Sequence, residues 1–75
     1  MKFILDGCDI NFLAEAPEDI TLKELLAQTD KIKPNWCACG IRSADEYEQK
    51  QEPEIIITKD SIRLANKGVS AQIVE

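Results

Sequence analysis

Apolar positions along this chain change their period twice. Phe3 and Leu5 alternate with Lys2 and Ile4, and Ile10, Phe12 and Ala14 alternate with Asn11 and Leu13. Asp6-Gly7 between the two runs is a tight-turn dipeptide, so the opening predicts a β-hairpin, with Cys8 and Asp9 in or just after the turn. A loop at Ala16-Pro17-Glu18-Asp19 follows, and the period then lengthens. Thr21 is a good N-cap, and Glu24 three residues on completes a capping box. Ile20 and Leu25 are spaced for a hydrophobic staple around that cap. Leu22, Leu25, Leu26 and Thr29 share one helical face, which predicts an amphipathic helix from about Thr21 to about Thr29. Asp30 and Pro34 mark its end and the following loop.

The second half returns to strand-like patterns. Trp36-Cys37-Ala38-Cys39-Gly40-Ile41 reads as a third strand, with Trp36, Ala38 and Gly40 on one face and Cys37, Cys39 and Ile41 on the other. Segment 43–52 has Ser43 as N-cap candidate with Glu46 three residues later. It has few apolar residues beyond Ala44 and Tyr47, so it reads as a short exposed helix or an ordered loop. Glu54-Ile55-Ile56-Ile57-Thr58 is a β-branched run that predicts a strand buried on both faces. Ser61 to Ala65 alternates, Asn66-Lys67-Gly68 is a turn signal, and Val69, Ala71 and Ile73 alternate again. This favours a second hairpin. The competing reading makes Asp60 an N-cap, residues 61–67 a helix and Gly68 its C-cap. The pattern as a whole predicts an α+β domain: a β-hairpin, one amphipathic helix, then three or so further strands in a mixed sheet.

Size and charge narrow the function. Seventy-five residues make one small domain, 1–75. At this length buried apolar area only about offsets chain entropy, so a protein partner or homo-oligomer formation is a natural aid to stability. The 14 acidic and 9 basic side chains leave a net charge of −5, and there is no histidine. That excludes Ser-His-Asp and Cys-His devices and any His-ligated metal. The acidic balance disfavours direct binding to nucleic acid, which needs a basic face. No stretch has the length of a membrane span, and Met1-Lys2-Phe3-Ile4-Leu5-Asp6-Gly7 breaks its apolar run too early for a signal peptide. Three cysteines are an odd, sparse set, which suits a cytoplasmic protein with reduced thiols. The acid itself is local. Residues 43–54 carry Asp45, Glu46, Glu48, Glu52 and Glu54 against Lys50, and a comparable excess surrounds the first hairpin; the intervening segments are slightly basic.

Two constellations have chemical content. Cys37-Ala38-Cys39 with Cys8 would give three thiolates to a soft metal such as zinc or copper, a fourth ligand coming from a carboxylate or a second chain. The plainer reading makes Cys37 and Cys39 small apolar residues facing the core from one strand. Asp45, Glu46 and Glu48 read as a solvated acidic face, or more sharply as a docking surface for a basic partner. Trp36 either closes a core edge or anchors an interface beside Lys31 and Lys33. No catalytic residue and no cofactor-binding motif emerges; the three glycines, Gly7, Gly40 and Gly68, are too far apart for a phosphate loop.

The opening, Lys2 to Ala27 with Thr21-Leu22-Lys23-Glu24-Leu25-Leu26 as its capped helix, resembles the β-grasp (ubiquitin-like) superfamily, in particular its small sulfur carriers. That resemblance implies a β-grasp-like fold. It also implies chemistry at a C-terminal Gly-Gly, from which Gln72-Ile73-Val74-Glu75 departs. What carries over is therefore a scaffold. The expected function is a small non-catalytic interaction or accessory module for a protein partner. The alternative is a thiolate metal-binding domain built on Cys8, Cys37 and Cys39.

Overall fold

The computed structural model describes residues 1–8, 10–33, 39–65, 68–69 and 71–74. Strands β1 (Lys2–Asp6) and β2 (Asn11–Glu15) form the expected antiparallel hairpin, in the register Lys2↔Glu15 to Asp6↔Asn11. Asp6 still belongs to the ladder, and the turn begins at Gly7, whose N–H donates to the Ile10 carbonyl at 3.0 Å. Ile10 is exposed in the turn instead of opening the second strand.

Helix α1 (Leu22–Thr29) starts as its sequence dictates. The Thr21 hydroxyl accepts from the Glu24 N–H at 3.1 Å, and the Glu24 carboxylate accepts from the Thr21 N–H at 2.9 Å. Its buried face differs from the expectation. Leu25, Gln28 and Thr29 face the core, while Leu22 is 62% exposed and Leu26 38%. The face is set by Leu25 and Thr29, one turn apart, with Gln28 between them; Leu22 and Leu26 fall to its solvent side. Gln28 is satisfied polar: its amide donates to the Lys59 carbonyl, and its Oε1 accepts from Lys31 Nζ at 3.0 Å.

Strand β3 (Ile32–Lys33) follows at once, where the sequence pattern suggested a loop. Of the expected third strand, Trp36 to Ile41, the described part is met at Gly40 and Ile41. Strand β4 spans Gly40–Ser43 and pairs antiparallel with β1, Asp6 opposite Gly40 and Phe3 opposite Ser43. Residues 34–38, with Trp36 and Cys37, lie outside the described residues. Ser43 is held in this ladder, so it does not cap the next helix. Asp45 does, and α2 (Glu46–Gln49) carries a full capping box of Asp45 with Glu48. Gln49 ties α2 to the sheet: its Oε1 accepts from the Lys2 N–H at 2.9 Å, and its Nε2 donates to the Lys2 and Ala44 carbonyls. Lys2 Nζ donates to the Gln49 carbonyl in return.

Strand β5 (Ile55–Ile57) is the β-branched run, shorter than expected but interior. It lies parallel to β2 and antiparallel to β6 (Ile62–Leu64). The strand reading of 61–65 thus holds over Ile62–Leu64, and the helical alternative fails there. The hairpin partner is corrected, however. β6 pairs back onto β5 through a turn in which Thr58 N–H donates to the Ser61 carbonyl and the two hydroxyls meet at 2.7 Å. Strand β7 (Gln72–Ile73) pairs instead with β3, Ile32 opposite Ile73. The result is a mixed five-stranded sheet in the order β4-β1-β2-β5-β6 and a two-stranded ribbon β3-β7, an α+β fold.

The sheet is covered on both faces. One face carries Leu5, Phe12, Ala14, Ile55, Ile57 and Ile62, packed with Leu25 of α1 and Ile32 of β3. The other carries a smaller cluster of Ile4, Leu13 and Ala44. That second cluster explains why Phe12, Leu13 and Ala14 are all buried although their sequence reads as alternating.

Candidate functional site

Two places on this scaffold bring candidate side chains together. The first is at the end of the sheet where the β1–β2 turn meets the entry to β4. The β1–β4 ladder runs out at Asp6 and Gly40, and the Cys39 N–H still donates to the Asp6 carbonyl at 2.9 Å. Cys8 follows two residues after Asp6 on the turn. Thirty-one positions apart in sequence, Cys8 and Cys39 therefore come together, with 3.1 Å between their Sγ atoms, at an exposed position. The expectation that Cys39 faces the core is corrected, since it is exposed, while Cys8 lies on the turn as its sequence predicts. Cys37, the third thiol of the metal reading, lies outside the described residues. Among the described residues, no three side chains of His, Cys, Asp or Glu group as a metal site. Two thiolates on one tetrahedral zinc, at Zn–S of about 2.3 Å, stand about 3.8 Å apart. The observed pair is closer than that edge.

The charges beside this place are paired. Arg42 of β4 reaches Asp6 at 3.9 Å and Glu48 of α2 at 3.2 Å. The Asp45 N–H and the Arg42 guanidinium hold the Glu48 carboxyl below the usual carboxylate range, and Glu48 in turn raises Arg42. This changes the standing of the acidic segment. Asp45 spends its carboxylate on the Glu48 N–H at 2.8 Å, Glu48 is shared between Asp45 and Arg42, and Glu54 accepts from the Leu13 N–H at 3.1 Å. Of the three acids singled out from sequence, Glu46 is exposed and takes no part in these contacts. Beside it Tyr47 is 73% exposed. Trp36, the remaining interaction candidate, lies outside the described residues.

The second place is the β6 edge of the main sheet. β6 ends the strand order, and β7 passes near it without joining the same sheet. Between them is an open groove of about 520 Å³ lined by Ile62, Arg63, Leu64 and Ile73. Ile62 turns into the core, whereas Arg63 is exposed. Sequence reasoning missed this groove because it paired the 61–65 and 69–73 runs with each other. The signal that could have revealed it is the Thr58-Lys59-Asp60-Ser61 turn, which allows β6 to fold back on β5 and so leaves its far side without a paired strand among the described residues. Lys59 fixes that turn to the loop before α1 through a 2.8 Å ion pair with Asp19, which lowers the Asp19 carboxyl and raises the lysine.

Comparison with family models, with curated proteins and with solved structures finds no match to this chain.

Proposed function

We propose that this protein is a non-catalytic interaction module that binds an extended segment of a protein partner along its β6 edge. The observation that carries this reading is the groove of about 520 Å³ beside β6, the last strand of the main sheet among the described residues. An extended peptide added to such an edge gains main-chain hydrogen bonds, and its alternate side chains enter a flanking apolar groove. The part-buried Leu64 and Ile73 supply the apolar wall, and Arg63 supplies a charge to select an acidic neighbour. The absence of histidine and of any paired-acid motif supports the non-catalytic part. The acidic α2 segment is the weaker docking surface, because Asp45 and Glu48 are engaged within the fold.

The test is affinity capture from the native host with three baits: wild type, Arg63→Glu and Glu46→Lys. Both changes are at exposed positions, so the baits should share one circular-dichroism spectrum. A protein held by wild type and Glu46→Lys but lost by Arg63→Glu supports the β6 edge. A protein lost by Glu46→Lys alone would transfer the function to α2, and retention by all three would overturn the edge reading.

A further inference from the structure

We infer that the β6 edge takes its protein segment in the antiparallel direction and selects an acidic residue between two apolar ones. This rests on the reading of β6 as a docking edge and gives the partner its direction and sequence. In an antiparallel hairpin, opposed residues alternate between pairs that exchange backbone hydrogen bonds and pairs that exchange none. In the β5–β6 register Ile57 lies opposite Ile62, Ile56 opposite Arg63 and Ile55 opposite Leu64. The bonded pairs are fixed from both ends: the Thr58 N–H donates to the Ser61 carbonyl at 2.8 Å, and the Ala65 N–H donates to the Glu54 carbonyl at 2.8 Å. By the same alternation Arg63 is the bonded partner of Ile56, and the N–H and C=O groups of Ile62 and Leu64 point away from β5. β6 ends the strand order, so those groups meet no paired strand among the described residues.

A short antiparallel segment satisfies all of these groups. Its first and third residues form bonded pairs with Leu64 and Ile62. Its middle residue faces Arg63 in a non-bonded pair, where opposed side chains stand closest. Side chains alternate across a sheet, so the outer two residues lie on the face of Ile62 and Leu64, and the middle one on the face of Arg63. On the first face the groove wall is made by Leu64 and Ile73, both part-buried and packed against the main core, which favours apolar residues. On the other face Arg63 is exposed and has no ion-pair partner among the described residues, which favours Asp or Glu opposite it. The same geometry disfavours a second copy of this chain. Pairing of two β6 strands that engages all the outward groups sets the two Arg63 side chains directly opposite each other, like charge against like. The charge that recruits an acidic segment thus also keeps the edge from pairing with itself.

The experiment is an NMR titration of the isotope-labelled full chain with a threonine-flanked Val-Glu-Val peptide and its Val-Lys-Val counterpart. The glutamate peptide should shift the Ile62 and Leu64 amides and bind about fivefold more tightly than the lysine peptide. Arg63→Glu should reverse that preference, and Arg63→Gln should abolish it; should Arg63→Glu not fold, Arg63→Gln decides. A nitroxide on the peptide's N-terminus should broaden the Ala65 amide more than the Ser61 amide, and one on its C-terminus should do the reverse. Equal binding of both peptides at Ile62 and Leu64 would overturn the acidic selection and leave the docking edge standing. Shifts confined to other elements, or none with either peptide, would overturn the inference, and capture with the Arg63→Glu bait judges the docking edge separately. Broadening in the opposite order would overturn the antiparallel direction. Concentration-dependent shifts of Ile62 and Leu64 without peptide would overturn the assignment in favour of a second copy.

Discussion

Ile55 shows how sharply one side chain can matter in a chain this small. It is fully buried on the interior strand β5, between Ala14 on β2 and Leu64 on β6. Removing most of such a side chain typically costs about 2–5 kcal/mol, a large part of the stability of a domain of this size. Ile55→Ala is therefore expected to leave the chain largely unfolded at 37 °C, as read by thermal melts. Leu22→Ala should shift the same melts hardly at all, because Leu22 is exposed and alanine suits a helix at least as well. The contrast corrects the helical-face reading, which treated Leu22 as core. Spacing alone places Leu22, Leu25, Leu26 and Thr29 on one side of a helix. Which arc of that side turns inward is decided by the sheet beneath it, and a buried Gln28 with two hydrogen-bond partners can take a place that hydrophobicity would give to leucine. Thr21 was legible without the structure, since capping chemistry is local. Thr21→Ala should cost about 1 kcal/mol in urea denaturation, the usual loss for an N-cap.

At the scale of elements, the two helices share one electrostatic design. Each begins with a reciprocal capping box, and in each the carboxylate that closes the box is held below its ordinary value: Glu24 by Thr21, Glu48 by Asp45 and Arg42. The folded chain thus favours the charged form of both. Their contribution is complete above the ordinary glutamate value, about 4.3, and is lost as pH falls through the depressed folded values. The melting temperature should hold from pH 7 to pH 5 and drop below that. In Glu24→Gln/Glu48→Gln, glutamine keeps the box geometry but does not titrate, so the difference in melting temperature between pH 7 and pH 3 should shrink. An undiminished difference would assign the acid sensitivity to other carboxylates. The elements also divide cleanly into those their own residues specify and those they do not. The hairpin, α1 and the Ile55–Ile57 strand carry their periods within themselves. The partners of β6 and β7 are another matter, because alternation at Ile62, Leu64, Val69, Ala71 and Ile73 says that strands exist and nothing of what they pair with. The two-residue ribbon β3-β7 is below the length at which a period can be read at all. The meeting of Cys8 with Cys39 belongs to the same class: it depends on β4 pairing with β1, a contact between distant segments.

For the molecule as a whole, the decisive fact is that a sheet with room for only about five short strands is covered on both sides. A single-faced sheet of this size would bury too little apolar surface to offset the entropy of ordering the chain. Here α1 and the β3-β7 ribbon close one face around Leu5, Phe12, Ile55 and Ile57, while Ile4, Leu13 and Ala44 close a smaller core on the other. The second core depends on the Ala44–Gln49 segment staying in place. Asp45 caps α2, Arg42 pins Glu48 from the β4 edge, and Gln49 grips the backbone of Lys2. The acidic stretch that reads as a free surface in the sequence is in this sense a lid on the sheet, with its charges largely engaged in holding it down. This makes a prediction that strict alternation would reverse. If Leu13 faced solvent, as its place between Phe12 and Ala14 suggests, Leu13→Ala would be nearly neutral. Leu13 is instead only 7% exposed, packed with Ile4 and Ala44. Its truncation should cost about 2 kcal/mol or more in urea denaturation. The effect of Gln49→Ala should be non-additive with it, since the same lid covers both, and a double-mutant cycle reads that coupling directly. A neutral Leu13→Ala would mean that α2 does not close the second face, and the acidic segment would then be free to serve a partner after all.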